Sequence, residues 1–187
     1  RITPEGEYTS GIEGPAVDAS GNLYVVNFQQ SGNIGKLAAG AAQSQLFTSL
    51  PAGSIGNGIR FDRQGRMYVA DFKKHNVWVI ERGETTPRVY FHSDRFNQPN
   101  DLAIAADGTL YASDPAWEQN TGRVWKIDIE GKVSLAADGM GTANGIEVSP
   151  DGKRLYVNES VQRNVWQFAI ADDGSLTDKK LLINFPD

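Results

Sequence analysis

Four side chains ending in oxygen recur at one register of this chain. They are Glu13, Asn57, Asn100 and Asn144, each eight residues before a turn glycine at Gly21, Gly65, Gly108 and Gly152. The glycines follow one another at intervals of 44, 43 and 44 residues. A repeated unit that keeps a polar side chain at one equivalent position aims those side chains at a common place. One carboxylate with several amide oxygens suits a hard cation such as Ca²⁺, which takes oxygens at about 2.3–2.6 Å. Mg²⁺ and Mn²⁺ use the same donors, and nothing in the set demands a soft or nitrogen-seeking metal.

The same residues have a plainer reading. Asn57-Gly58 and Asn144-Gly145 are ordinary turn dipeptides, an Asn at a strand start can bond its own backbone, and Glu13 can be simply solvated. Against this, Glu13-Gly14 and Asn100-Asp101 do not share the Asn-Gly turn chemistry, yet the position stays polar. Other chemistry is limited by inventory. There is no Cys, so disulfides, thiolate metal sites and Cys nucleophiles are excluded. A Ser-His-Asp arrangement fails because only His75 and His92 are present and no Gly-x-Ser-x-Gly elbow occurs. His75 falls in a connection at the donor end and His92 at the end of a fourth strand; both read as solvated residues before they read as bases.

The elements that must position the donors follow from the repeat. A period of 40 to 50 residues with several short strands is the mark of propeller blades. Blades are expected at about 11–55, 56–97, 98–141 and 142–187, so the fold class is all-β, a β-propeller. The first strand alternates through Pro15 and Val17, Ile59 and Phe61, Leu102 and Ile104, Ile146 and Val148. The turns are Ser20-Gly21, Gln64-Gly65, Asp107-Gly108 and Asp151-Gly152. The second strand reads Leu23-Tyr24-Val25, Met67-Tyr68-Val69, Leu110-Tyr111-Ala112 and Leu155-Tyr156-Val157, aromatic and branched residues that fit a half-buried pleat. Trp78, Trp125 and Trp166 mark the third strands, and Gly35 replaces the Trp in blade one. These aromatic positions are read as packing between blades.

Parity places Glu13, Asn57, Asn100 and Asn144 on the strand face of the apolar positions two and four residues on, at the rim of a packed interior. Unpaired polar groups there would cost several kcal/mol. The end of strand two carries a second polar set, Asn27, Asp71, Asp114 and Glu159, expected at the same end of the blade. The connections between strands two and three should set substrate choice. The longest, Pro115 to Gly122, holds Trp117, an aromatic outside the blade pattern and hence a candidate wall or lid for a pocket.

The chain has 187 residues, 40 % hydrophobic and 22 % charged, as expected of a soluble globular domain. A net charge of −5 with no basic run argues against nucleic acid, and no apolar stretch reaches the roughly 18 residues of a membrane helix. The compartment is left open, cytoplasmic or exported, since cysteine-free chains occur in both. The whole chain is read as one incomplete propeller domain. Residues 1–10 are expected to be a terminal strand completing the last blade, and further blades are expected to be lost, disordered or carried on a second chain.

These residues resemble the SMP-30/gluconolactonase/luciferin-regenerating family. The matching stretches are Ile12-Glu13-Gly14-Pro15, Asn57-Gly58-Ile59 with Arg60-Phe61-Asp62, Gln98-Pro99-Asn100-Asp101-Leu102 with Asp107-Gly108, Tyr111-Ala112-Ser113-Asp114-Pro115, and Ala143-Asn144-Gly145-Ile146 with Ser149-Pro150-Asp151-Gly152. The resemblance implies a six-bladed propeller with one catalytic divalent cation on its axis, usually Ca²⁺ and sometimes Zn²⁺. It implies Glu13, Asn100 and Asn144 as metal ligands, Asn100 also facing substrate, and Asn57 as a cavity-lining residue. The family's remaining metal carboxylate, an Asp of the fifth blade often credited as base, would follow Asp187. The activity implied is metal-dependent hydrolysis of a lactone or related cyclic ester. Within the chain, Asp101 and Asp114 are the available candidate bases, and Asp114 and Trp117 join the substrate-facing set. Two alternatives stand beside this: a non-catalytic binding propeller, and a metal-free enzyme of the strictosidine-synthase type, which would leave the Glu13, Asn100 and Asn144 set without a shared purpose.

Overall fold

The computed structural model describes residues 3–186. Among them sixteen strands form four antiparallel sheets of four, each in plain sequence order. Blade one is β1 (Ala16–Val17), β2 (Leu23–Val26), β3 (Asn33–Leu37) and β4 (Gln45–Ser49). Blade two is β5 (Gly56–Phe61), β6 (Met67–Asp71), β7 (Asn76–Ile80) and β8 (Arg88–His92). Blade three is β9 (Leu102–Ile104), β10 (Leu110–Asp114), β11 (Gly122–Ile127) and β12 (Val133–Met140), and blade four is β13 (Ala143–Val148), β14 (Arg154–Glu159), β15 (Asn164–Ile170) and β16 (Leu176–Asn184). No helix forms among the described residues, so none is long and apolar enough to cross a membrane.

The turn glycines do what their spacing predicts, by a route the dipeptides alone do not specify. In blade one Gly21 N–H bonds the Asp18 carbonyl while Asp18 N–H bonds the Asn22 carbonyl, and blade two repeats this with Gly65, Asp62 and Arg66. The loop is thus three residues long, closed by a glycine at φ 79° or 83°, where a Cβ would be strained. The first residue's carboxylate caps it: Asp18 Oδ1 accepts the N–H groups of Ser20 and Asn22, and Asp62 Oδ1 those of Gln64 and Arg66. The second oxygen accepts the hydroxyl of the signature tyrosine, Tyr24 at 3.1 Å and Tyr68 at 3.3 Å.

The described chain divides into two compact units between Ser93 and Asp94, two blades in each. In the first, blades one and two face each other across Tyr24, Val26, Ile34, Ile59, Val69 and Trp78. In the second, Tyr111, Val124, Met140, Ile146, Leu155 and Phe168 form the equivalent core, with Trp166 packed against it. The repeated aromatics are therefore packing residues. The middle strands β6 and β10 are buried along their whole length, both faces covered. Burial pushes the Tyr111 hydroxyl up to about 12, with Asp107 and Asp173 adding to it, and that hydroxyl donates to the Gly174 carbonyl at 2.7 Å.

Blade one departs from the pattern where Gly35 stands in place of Trp. A Cβ at Gly35 would lie 2.6 Å from the Tyr8 hydroxyl and 2.9 Å from Phe28. Tyr8, from the leading stretch expected to complete the last blade, makes an isolated antiparallel bridge with Phe28, stacks edge-on against its ring at 5.5 Å and donates to Ser44 Oγ.

Candidate functional site

Three of the four donors, Asn57, Asn100 and Asn144, sit at a repeated irregularity. On β5, Gly56 pairs with Asp71 and Ile59 with Val69, so three steps oppose two and the extra residue falls at Asn57-Gly58. On β13, Ala143 pairs with Glu159 and Ile146 with Val157, which puts the extra residue at Asn144-Gly145. Ahead of β9, Asn100 N–H donates to the Ser113 carbonyl at 2.8 Å and Ser113 N–H to the Asp101 carbonyl at 3.0 Å, so two residues again share one partner. These are β-bulges, which re-aim a side chain at the end of a ladder. The alternation used to place the donors on the apolar face is therefore broken at Asn57, Asn100 and Asn144, and for these three that expectation is corrected. The bulge, not the pleat, directs these side chains.

Their surroundings differ in degree. Asn100 is 8 % exposed, Asn57 and Asn144 are half-buried, and Glu13 is exposed. Among the described residues the side chains of Glu13, Asn57 and Asn100 make no hydrogen bond or ion pair. Asn144 Nδ2 donates to Ser160 Oγ at 2.9 Å, which leaves its Oδ1 as the open end. Within the first unit, a Cβ on Gly14 would collide with the Asn57 carbonyl, so Glu13-Gly14 runs directly against Asn57-Gly58. Within the second, Asp101 Oδ2 accepts Ile146 N–H at 3.3 Å and its Oδ1 accepts Leu102 N–H at 2.9 Å. That carboxylate ties the strand entry after Asn100 to β13, the strand that carries Asn144.

The second polar set turns inward. Asp71, fully buried, accepts the N–H groups of Ile55, Lys73 and Lys74, each at 3.1 Å, together with Asn76 Nδ2 at 3.4 Å and Trp78 Nε1 at 2.9 Å. Asp114, 1 % exposed, accepts Asn97 N–H at 3.0 Å, Gln98 N–H at 2.5 Å and Trp125 Nε1 at 2.8 Å. Glu159, 4 % exposed, accepts Gly141 N–H at 2.7 Å and Asn164 Nδ2 at 2.8 Å. Asn27 donates to the Gly11 carbonyl and accepts Gly32 N–H. Each residue ties the segment entering strand one to the ends of strands two and three. The set expected to crowd the donor face is instead a clamp inside each blade.

The clamping role of these residues, with Trp78 and Trp125 as indole donors, is what the sequence reading missed. The signal available was the pairing of a strand-two Asp with a strand-three Trp in blades two and three. Blade four carries Glu159 instead, and Trp166 Nε1 is buried with no hydrogen-bond partner among the described residues. His92 Nδ1 bonds Asn76 Oδ1 at 2.9 Å, and His75 sits at φ 55° in its turn, its carbonyl accepting Ser93 N–H. Trp117 is 40 % exposed in the connection after β10. No cluster of three or more His, Asp or Glu forms among the described residues, so a cation site here would rest on amide oxygens with few carboxylates. A cleft of about 570 Å³ in the first unit lies at the other end of the blades, among the turns of Asp18, Asp62 and Arg82, away from Glu13 and Asn57.

Residues 11–187 match the family described as SMP-30/Gluconolactonase/LRE-like region. The chain belongs to that family. A gluconolactonase of Zymomonas mobilis is 28 % identical over 156 residues, which cover 73 % of this chain and 44 % of that protein. A gluconolactonase structure from Xanthomonas campestris superposes with a TM-score of 0.81 at 22 % identity, covering 97 % of this chain and 65 % of that one. Regucalcin of Agrobacterium tumefaciens, described as a calcium-binding protein, gives 0.74 at 17 % identity over 98 % of this chain and 64 % of that one. The fold class is all-β, a β-propeller. The chain spans less than half the length of its Zymomonas relative.

Proposed function

We propose that the protein hydrolyses a lactone or related cyclic ester with the help of a divalent cation, Ca²⁺ by preference, held by Glu13, Asn100 and Asn144. The observation that carries this is the unmatched amide of Asn100, 8 % exposed yet without a side-chain partner among the described residues, at a bulge repeated at Asn57 and Asn144. Membership of a family shared with gluconolactonases supports the reaction class. The donor chemistry fits the group: neutral amide oxygens and one carboxylate are hard ligands suited to Ca²⁺, with Mg²⁺, Mn²⁺ or Zn²⁺ as weaker fits. The chemistry supplied by such a cation is Lewis-acid polarisation of the ester carbonyl and acidification of water.

The chain's own residues do the positioning. Ser160 holds the Asn144 amide nitrogen, turning Oδ1 outward. Asp101 and Asp114 have their oxygens occupied by N–H groups, so we assign them to holding strand entries rather than to moving protons. A carboxylate base, as the family resemblance implies, would take one proton from water as the water oxygen bonds to the acyl carbon, and would return it to the ring oxygen as the acyl C–O bond breaks. Asn57 and Trp117 face substrate.

In the full-length protein, Glu13→Gln and Asn144→Ala are expected to lose bound cation by elemental analysis and to lower kcat/KM at least about 100-fold, with unfolding midpoints measured in chelator close to wild type. Chelation should abolish activity and added Ca²⁺ restore it. Normal cation content in both variants would overturn the ligand assignment, and a chelator-resistant activity would favour the metal-free alternative.

A further inference from the structure

The connections at the donor end of the second unit are not independent loops. Gln162, in the turn between β14 and β15, uses its whole side-chain amide. Its Oε1 accepts from Thr142 N–H at 2.9 Å and Thr142 Oγ1 at 3.0 Å, and its Nε2 donates to Asn120 Oδ1 at 3.0 Å. Thr142 is fully buried and stands two residues before Asn144. Its hydroxyl accepts Val161 N–H at 2.8 Å and its carbonyl accepts Ser160 N–H at 3.1 Å, the same Ser160 whose hydroxyl holds the Asn144 amide. On the other side, Asn120 sits at φ 52° and closes the turn after β10, its N–H and that of Gln119 both bonding the Ala116 carbonyl. Trp117 lies inside that turn. A side chain at Gly141 would collide with the Gln162 amide, so a glycine there makes room for the lock.

We infer that Gln162 is a positioning residue: through Asn120 it fixes the Trp117-bearing turn of blade three relative to the β13 entry that carries Asn144. This rests on the lactonase reading for its consequence, which is substrate selection. A turn free to move pays ordering entropy each time substrate binds, whereas a tethered turn has been ordered by folding. Trp117 touches a part of the substrate that does not react, so loosening it weakens ground and transition states alike and appears in KM more than in kcat. The geometry asks for an amide at position 162, because one end must accept two donors from Thr142 and the other must donate to Asn120.

The test leaves the Thr142 half of the lock intact. Asn120→Gly removes the acceptor while keeping a residue that tolerates positive φ, and Asn120→Asp keeps the acceptor. Wild type and both variants are compared in full-length protein by lactone kinetics and by acrylamide quenching of Trp117, with Trp117→Phe supplying the background from Trp78, Trp125 and Trp166. Asn120→Gly is expected to raise KM about tenfold with kcat within about twofold and to increase Trp117 quenching, and Asn120→Asp to match wild type in both. Wild-type quenching and KM in Asn120→Gly would overturn the tether, as would loss in Asn120→Asp equal to that in Asn120→Gly. If the wild-type protein hydrolysed no lactone, the functional reading would fail by itself, and the quenching comparison would still decide the lock.

Discussion

Two sets of polar residues recur in the four blades, one at the start of strand one and one at the end of strand two, and their side chains live in opposite ways. Asp71, Asp114 and Glu159 are buried and bonded to several N–H groups each, whereas Glu13, Asn57 and Asn100 have no side-chain partner among the described residues. By residue type the second set, with three carboxylates, is the better candidate for catalysis. By hydrogen-bond satisfaction it is scaffold, and the first set is what remains available to a ligand. The lesson is that a repeated polar position marks either a repeated structural need or a repeated function, and the partners decide which.

The largest effect that could break this comparison comes from Asp71→Ala. It orphans five donors, of which Asn76 Nδ2 and Trp78 Nε1 lie in buried hydrogen bonds, each buried unsatisfied group costing about 1–3 kcal/mol, so the first unit should lose about 4 kcal/mol by urea unfolding. A cost under about 1 kcal/mol would mean the clamp is decoration. A finer cut sets tryptophan against tryptophan. Trp125→Phe removes a hydrogen bond to a buried carboxylate, with an expected cost of about 2 kcal/mol, while Trp166→Phe removes an indole N–H that bonds nothing described and should cost about 1 kcal/mol less. Equal costs would show that packing, not the indole N–H, sets the clamp's strength. Smallest of all, Asn57→Ala and Asn100→Ala, unfolded in the presence of chelator, should keep an unfolding free energy within about 0.5 kcal/mol of wild type, because no protein partner of either side chain is lost.

Much of the architecture was legible because it is periodic. Gly21, Gly65, Gly108 and Gly152 fix the hairpins, and the triplets centred on Tyr24, Tyr68, Tyr111 and Tyr156 fix β2, β6, β10 and β14. The donor positions were legible for the same reason. The bulges at Asn57 and Asn144 were not, since register is set by how two strands pair rather than by either strand's composition. Nor was the saturation of Asp114, whose partners are mainly the backbone N–H groups of Asn97 and Gln98, donors that any residue there would supply. Gln162 was unreadable because its role depends on Asn120, 42 positions away in the chain.

The glycine at position 35 has a wider meaning for how this protein can be taken apart. Blades two to four each carry an indole of their own at that place, while blade one borrows a phenol from ahead of the repeat, Tyr8 lying over Gly35 and anchored on Ser44. Blade one is for that reason not an interchangeable cassette: a transplant or duplication that copied only the repeat would copy a gap, and the missing wedge would have to travel with it.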